Sequence, residues 1–304
     1  MQKQVSTIIV IMGPTASGKS GVAIQLAQKF NGEIISADSR QVYKGLDIGS
    51  GKVKRDNNHN ATYISEGVIH HLIDVANPME DFNVSHFKKL AEEKISDILN
   101  RGKLPIICGG TGFWIDAVTK NINIPEVPPN PELRKELETK NLEELFLELK
   151  KIDPERAENI DSKNKVRLIR AIEICHSIGK VPKLSTKNIN YNFIQIGIKV
   201  ERTELNAKIQ KRLDERFNEG MIKEVQKLNN SGISFEWMER IGLEYRWIAR
   251  FLENKVSLEE MQKLLYFDII HYAKRQMTWL KRNKEIIWLT NYTDIEKEVE
   301  KNAK

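Results

Sequence analysis

The pattern of apolar and polar positions changes period several times along the chain, and each change marks an element. Val5 to Met12 (VSTIIVIM) is a continuous apolar run rich in β-branched residues. It stops at glycine and gives way to VAIQLAQKF, whose apolar positions recur at helical spacing. That is strand, loop, helix. Glu33 to Ala37 reads as a second strand ending at Asp38, Val68 to Val75 as a third, and Leu104 to Cys108 as a fourth, broken by Gly109 and Gly110. Before the fourth, Ser85 is placed to cap a helix that gathers Phe87, Leu90, Ala91, Ile95 and Ile98 on one face. Buried-type strands alternating with helices predict an α/β fold with a parallel sheet covered on both faces.

The texture changes near residue 121. Four of the nine prolines fall at positions 125, 128, 129 and 131. A charge-rich helical stretch then runs to about Ile178, where Gly179 and Pro182 stop it. Strand character returns at Phe193 to Val200, and Arg202 to Leu228 reads as helix. The predicted organisation is a core of residues 1–120 and 191–304 with a helical insertion at 121–190. Residues 54–66 read as an irregular polar loop. No internal repeat or low-complexity tract is present.

Composition narrows the class. The 304 residues contain two cysteines, Cys108 and Cys175, so no disulfide framework and no zinc-finger spacing exists. No apolar run approaches the roughly 18 residues of a membrane span, and the short run near the start is no secretory signal. A soluble, reduced, cytoplasmic protein is expected. The net charge of +6 is spread as +2 over residues 1–120, +1 over 121–190 and +3 over 191–304. Contact with a polyanion must therefore come from local clusters.

The strongest motif is Gly13-Pro14-Thr15-Ala16-Ser17-Gly18-Lys19-Ser20, a full match to G-x-x-x-x-G-K-[ST] between a strand and a helix. Its glycines let backbone N–H groups turn toward phosphate oxygens. The helix N-terminus and Lys19 add positive charge, and Ser20 offers a hydroxyl for Mg²⁺. This implies polyphosphate or diphosphate binding, not ATP hydrolysis. Asp38 stands at a strand end, where ligands bind in α/β folds. It could hold metal through water, act as a general base, or simply cap the next turn. Asp74 could pass for a Walker B aspartate. His70 and His71 before it read as residues packed under the sheet. Gly109-Gly110-Thr111-Gly112 is a second glycine turn.

Two basic clusters follow. Lys163, Lys165, Arg167 and Arg170 form an acid-free run, with 163, 167 and 170 on one helix face. Lys274, Arg275, Lys281, Arg282 and Lys284 are interleaved with Tyr272 and Trp279, on which bases could stack. Either cluster could also be a solvated helix face. Arg212 and Arg216 lie one helical turn apart and could face a leaving diphosphate or merely pair with neighbouring acids.

In order, GPTASGKS, SADSRQVYKGLDIG, HHLIDVANPMEDFNV, PIICGGTGFW, DPERAENID with RLIRAIEI, RLDERFNEGMIKEV and YAKRQMTW resemble the bacterial tRNA dimethylallyltransferase (tRNA isopentenyltransferase) family across nearly the whole chain. The resemblance implies a P-loop NTPase-like parallel-sheet core with an inserted helical domain that clasps the anticodon stem-loop. It implies transfer of a dimethylallyl group from dimethylallyl diphosphate to N6 of adenosine 37 in tRNAs reading UNN codons, with Mg²⁺ as cofactor and a monomeric enzyme. By the same resemblance, Asp38 is the general base, Gly13 to Ser20 cradle the diphosphate, and Lys19 and Arg212 assist catalysis. Ser20 is the Mg²⁺ contact, with Asp38 a second one through water. Asp38, Ser39, Arg40, Gln41, Thr111, Arg134, Val166, Arg167, Leu168, Ile169 and Arg170 match tRNA-contacting positions, and Met238 to Tyr245 another such stretch.

Departures from the family pattern occur at three places. Ile269-Ile270 replaces a Thr-Arg pair, Gly49-Ser50-Gly51-Lys52 replaces Gly-Thr-Ala-Lys, and Ile241-Gly242-Leu243-Glu244-Tyr245 differs from Gly-Tyr-Lys/Arg. The competing reading is a P-loop small-molecule kinase, which would not need the two basic clusters. A third is an RNA-binding nucleotide switch without catalysis.

Overall fold

The computed structural model describes residues 5–56, 62–183 and 191–302. In chain order the elements are β1 (Ser6–Met12), α1 (Lys19–Lys29), β2 (Gly32–Ala37), β3 (Tyr63–Ser65), β4 (Val68–His71), α2 (Val84–Asn100), β5 (Leu104–Gly109) and α3 (Gly112–Thr119). Four helices follow, α4 (Pro131–Thr139), α5 (Leu142–Ile152), α6 (Pro154–Glu158) and α7 (Lys165–Ile178). The chain then continues through β6 (Tyr191–Ile198), α8 (Arg202–Glu219), α9 (Met221–Asn230), α10 (Phe235–Ile241), α11 (Leu243–Leu252), α12 (Leu258–Leu280), β7 (Ile287–Leu289) and α13 (Tyr292–Asn302). Two compact units result, residues 1–121 with 188–304, and residues 122–187.

The larger unit is built on one sheet of order β3-β4-β2-β5-β1-β6-β7. Every described pairing is parallel except β3 with β4. In register, Ile9 lies between Ile106 on β5 and Ile194 on β6. Strand alternation sends Ile8, Val10 and Met12 to one face and Ile9 and Ile11 to the other, so β1 is apolar from Ile8 onward because both faces are covered there. Ala23, Ile24, Leu26 and Ala27 of α1, with Ile295 and Val299 of α13, close one side. Helices α2, α3 and α8 to α12 close the other. This is a P-loop NTPase-like core, with the loop of residues 13–18 at the carboxyl end of the interior strand β1.

Several boundaries differ from those expected. The cap of α2 is Asn83, whose Oδ1 accepts from the Ser85 and His86 N–H groups, so Ser85 lies inside the helix. The expected helix from Arg202 to Leu228 is interrupted at Gly220, whose φ of 99° ends α8 and starts α9. Strand β3 lies inside the polar loop expected at residues 54–66, of which 57–61 fall outside the described residues. Strand β4 ends at His71. Asp74 follows in a loop with φ of 57° and forms an ion pair with Lys52, so it is not a strand-end aspartate. His71 Nε2 donates to the Glu33 carboxylate at 2.7 Å, which Arg101 and Lys103 also hold.

His70 does pack under the sheet. Burial, reinforced by the neighbouring His71, pushes its pKa down to about 4, and its buried Nε2 has no partner. The unfolded imidazole titrates near 6.5, so protonation favours the unfolded chain. Stability is therefore full above that value and falls as pH drops toward 4, by up to about 3 kcal/mol from this residue. Thermal melts of wild type and His70→Phe at pH 7.5 and pH 5 test this. The variant should lose less melting temperature between the two, and equal losses would rule the titration out.

In the smaller unit, Leu137, Leu145, Leu149, Leu168, Ile169 and Ile172 form the core. Each N-terminus is capped by a side chain that the sequence supplies, Asn130, Asn141, Asp153 and Asn164 in turn.

Candidate active site

The loop after β1 turns because Ala16 (φ 61°) and Gly18 (φ 86°) are both left-handed. Gly18 is the residue preceding α1 and provides no side-chain cap, so the first N–H groups of that helix face the loop uncapped. Lys19 Nζ folds back on the loop and donates to the Pro14 carbonyl at 3.3 Å. Burial lowers the Lys19 pKa, partly countered by Cys108 and Asp38, and the positive charge of Arg216 lowers it further. The Cys108 thiol is pushed up to about 11 by burial, so it is neutral at physiological pH.

Asp38 caps the turn that follows β2. Its Oδ1 accepts from the N–H groups of Arg40 at 3.0 Å and Gln41 at 3.4 Å. Oδ2 takes part in no hydrogen bond among the described residues. Thr111 is joined to the same turn, for its Oγ1 accepts from Ser39 N at 3.3 Å and its N–H donates to the Ala37 carbonyl. Gln41 bridges Ser36 Oγ and the Gly51 carbonyl, at 3.0 and 3.2 Å. Arg40 pairs with Glu244 at 2.8 Å and lies over the Tyr272 ring.

Most of these residues face one cavity of about 50 Å³, lined by Thr15, Lys19, Ser20, Asp38, Arg40 and Gln41 among others. A second cavity of about 440 Å³ is lined by Ala16, Gly18 and Gly21 and by residues of α8. The two share Lys19, Ser20, Gly51, Arg212 and Arg216 in their linings. The two cavities thus meet at one cationic cluster. The inner cavity holds four basic side chains, Lys19, Arg40, Arg212 and Arg216, against two acids, Asp38 and Glu244. An anion with several oxygens suits that balance.

Gln276 is a cavity residue that the sequence reading does not assign, and Tyr272 and Glu244 take places other than those expected. Gln276 accepts from Thr15 N at 2.8 Å and donates to the Gly110 carbonyl at 2.9 Å, so it joins the phosphate loop to the second glycine turn. Tyr272 faces the cavity instead of standing free as a stacking platform. Glu244 is buried between Arg40 and Arg216. Gln276 and Tyr272 lie inside YAKRQMTW, so the motif carried the signal while the individual roles did not follow from spacing. Trp279 is likewise tied down, donating to Asp116 Oδ2 at 2.9 Å. Lys274, Arg275, Lys281, Arg282 and Lys284 remain exposed.

The smaller unit modifies the expected RNA-contacting set. Lys163 precedes α7 and is not on its face. Leu168 is fully buried and Ile169 is 7% exposed, because both pack into the core of the unit, so their side chains do not meet solvent. Val166 and Arg167 are exposed at the helix start. Glu173, itself buried, holds Arg134 through two 2.9 Å contacts and also pairs with Arg170. Met238, Leu243 and Tyr245 are buried in the larger unit, so that stretch is largely core.

Comparison with known proteins follows the same lines. The family model described as IPP transferase matches residues 41–283. A tRNA dimethylallyltransferase of Acetivibrio thermocellus is 41% identical over 308 residues, 98% of this chain and 96% of its own length. The crystal structure of the full-length tRNA isopentenylpyrophosphate transferase from Bacillus halodurans superimposes with a TM-score of 0.71 at 34% identity, covering 98% of this chain and 95% of that one. A eukaryotic dimethylallyltransferase captured acting on tRNA gives a TM-score of 0.75 at 26% identity, covering 98% of this chain and 77% of that one.

Proposed function

Since the chain belongs to the IPP transferase family, we propose that it transfers a dimethylallyl group from dimethylallyl diphosphate to N6 of adenosine 37 in tRNAs reading UNN codons, releasing diphosphate. The observation that carries this reading is the pair of adjoining cavities that share Lys19, Ser20, Gly51, Arg212 and Arg216 in their linings. A kinase and a prenyltransferase both need the phosphate loop. A transferase that joins a base to an allylic carbon also needs separate approaches for two large substrates.

The chemistry assigns each residue a task. An adenine amine is a poor nucleophile, because its lone pair is delocalised into the ring. Rate must come from positioning, from charge neutralisation at the departing diphosphate and from a base. The phosphate loop and Arg212, which reaches Thr15 Oγ1 at 3.2 Å, hold the diphosphate. Asp38 takes the proton through the oxygen its turn leaves unused. The base must leave its stack to enter, which is the usual requirement for chemistry on a nucleobase. Arg134, Val166 and Arg167 on the helical unit contact the anticodon stem-loop, and the reaction takes place in the cytoplasm.

The residues present suit Mg²⁺. Among the described residues no group of three His, Cys, Asp or Glu side chains is arranged to hold a metal. Mg²⁺ does not need one, since it commonly keeps several waters and uses substrate phosphates plus one or two protein oxygens. Ser20 and Asp38 line the same cavity and would supply those oxygens. When bound, the ion would neutralise charge on the diphosphate.

The direct test is incubation with labelled dimethylallyl diphosphate and an anticodon stem-loop carrying A36-A37-A38, followed by mass analysis. A gain of one five-carbon unit on A37 is expected. No gain, with substantial ATP turnover in the absence of a prenyl donor, would favour the kinase. Arg167→Glu should weaken tRNA affinity and flatten its salt dependence, because one phosphate contact is replaced by repulsion. Identical salt titrations for wild type and variant would mark that face as merely solvated.

A further inference from the structure

We propose that Glu224 is a positioning residue for prenyl transfer, holding the loop of residues 47–52 in the shape that walls the diphosphate site. The inference rests on the reading of the inner cavity as that site. Glu224 lies on α9 and belongs to neither cavity lining, so it can act only through other groups. Its Oε2 accepts from the N–H groups of Asp47 at 3.0 Å and Ile48 at 2.6 Å. Its Oε1 accepts from the Gly49 N–H at 3.0 Å and from the Tyr245 hydroxyl at 2.9 Å. An ionised carboxylate offers about four lone-pair sites, so these donors take up its whole capacity.

The loop that Glu224 grips is shared by the two cavities. Gly49, Ser50 and Gly51 line the inner one, and Asp47, Ile48, Gly51 and Lys52 line the outer one. Glu224 fixes the N–H side of this backbone. Its carbonyls are held separately, Gly49 by Arg216 Nη1 at 3.3 Å and Gly51 by Gln41 Nε2 at 3.2 Å. Ser50 Oγ donates to the Leu46 carbonyl and closes the turn. A Cβ on Gly51 would stand 1.9 Å from Arg212 Nη2, so the loop backbone lies directly against the guanidinium that reaches Thr15 of the phosphate loop. A displaced loop therefore displaces a cation that faces the diphosphate.

Tyr245 in turn orients the carboxylate. It is fully buried on α11, and burial followed by the Glu224 charge pushes its hydroxyl pKa well above the usual value, so the hydroxyl keeps its proton and donates. The loop is pressed onto the same ring, since a Cβ on Gly49 would stand 2.7 Å from Tyr245 Cζ. Successive backbone N–H groups pointing one way form a small anion-binding concavity, and a carboxylate answers it with charge-assisted hydrogen bonds. Glutamine at position 224 would fill the same space but offer one oxygen, and its NH₂ group would point at backbone donors. The arrangement thus requires the carboxylate itself and not only the volume it occupies.

The test compares full-length wild type, Glu224→Gln and Tyr245→Phe well below their melting temperatures. Steady-state prenyl transfer gives KM for donor and for tRNA, and calorimetric titration of inorganic pyrophosphate with Mg²⁺ gives affinity without turnover. In Glu224→Gln the donor KM should rise roughly tenfold to a hundredfold, the scale of a misplaced positioning group, with pyrophosphate affinity falling in parallel and tRNA affinity unchanged. Tyr245→Phe keeps the ring against Gly49 and removes only the hydroxyl donor, so it should shift the donor KM the same way by a smaller factor. Should Glu224→Gln fail to fold, Tyr245→Phe decides alone. A lowered melting temperature with wild-type donor KM and pyrophosphate affinity overturns the proposal, as does an equal loss of tRNA and donor affinity, which would mean general loosening. If pyrophosphate affinity falls in the variants while wild type transfers no prenyl group, the positioning role stands and the transferase reading falls.

Discussion

Replacing Asp38 by alanine is expected to slow prenyl transfer by roughly 10²–10⁴-fold while tRNA still binds, the range typical of a positioned general base. The structure separates two duties of this carboxylate. Oδ1 caps the turn by accepting from Arg40 and Gln41 N–H groups. Oδ2 is the oxygen left for chemistry. Asp38→Asn should keep the turn, because an amide oxygen can still accept both hydrogen bonds, and lose the base. Single-turnover transfer rates for both variants, with tRNA affinity measured separately, decide the matter. Rates near wild type in Asp38→Asn would leave Asp38 as a turn cap only. A large loss in Asp38→Ala alone, accompanied by lost tRNA binding, would point to collapse of the Ser39–Thr111 contact rather than to lost chemistry.

The second large effect is expected at Lys19. Lys19→Met should reduce kcat by about 10²–10³-fold, comparable to loss of one preorganised donor at a developing charge. The pH dependence gives an independent check. Burial, followed by the Arg216 charge, holds the Lys19 ammonium below its usual range in the free protein, while Cys108 and Asp38 oppose the shift. A bound diphosphate stabilises the ammonium and raises its pKa again. Binding therefore takes up a proton once the pH passes the depressed value, and donor KM must rise on the alkaline side. Lys19→Met should lack that limb. A donor KM equally steep with pH in wild type and variant would place the titration elsewhere.

The parts of this architecture that the chain announces are those fixed by local periodicity. β1, β2, β5 and β6 are apolar because they are covered on both faces, and a continuous apolar run survives any uncertainty in its partners. The phosphate loop is legible because its backbone needs glycine at one place and a helix start right after it. β4 came out shorter than its apolar run, since Leu72 and Asp74 take positive φ and leave the strand. Ser85 looked like a cap because serine favours that position, while Asn83 two residues earlier captured the same helix. Leu168 and Ile169 show a limit of transferring a contact stretch as a block. A five-residue run on a helix always turns some side chains inward. The cavity positions of Gln276, Tyr272 and Glu244 are hidden for the opposite reason. Each is a polar residue on a helix, which reads as surface until a loop more than 200 positions earlier in the chain comes to rest against it.

Gln276 carries a consequence for how the protein is made. The phosphate loop is among the first segments to leave the ribosome, but its amide at Thr15 finds its acceptor only on α12, 261 positions later. Until that helix has emerged and docked, the loop and the Gly110 turn lack the amide that joins them. A nascent chain stalled before residue 276 can therefore form most of its sheet without possessing a finished anion cradle, which delays competence for donor binding until synthesis is nearly complete.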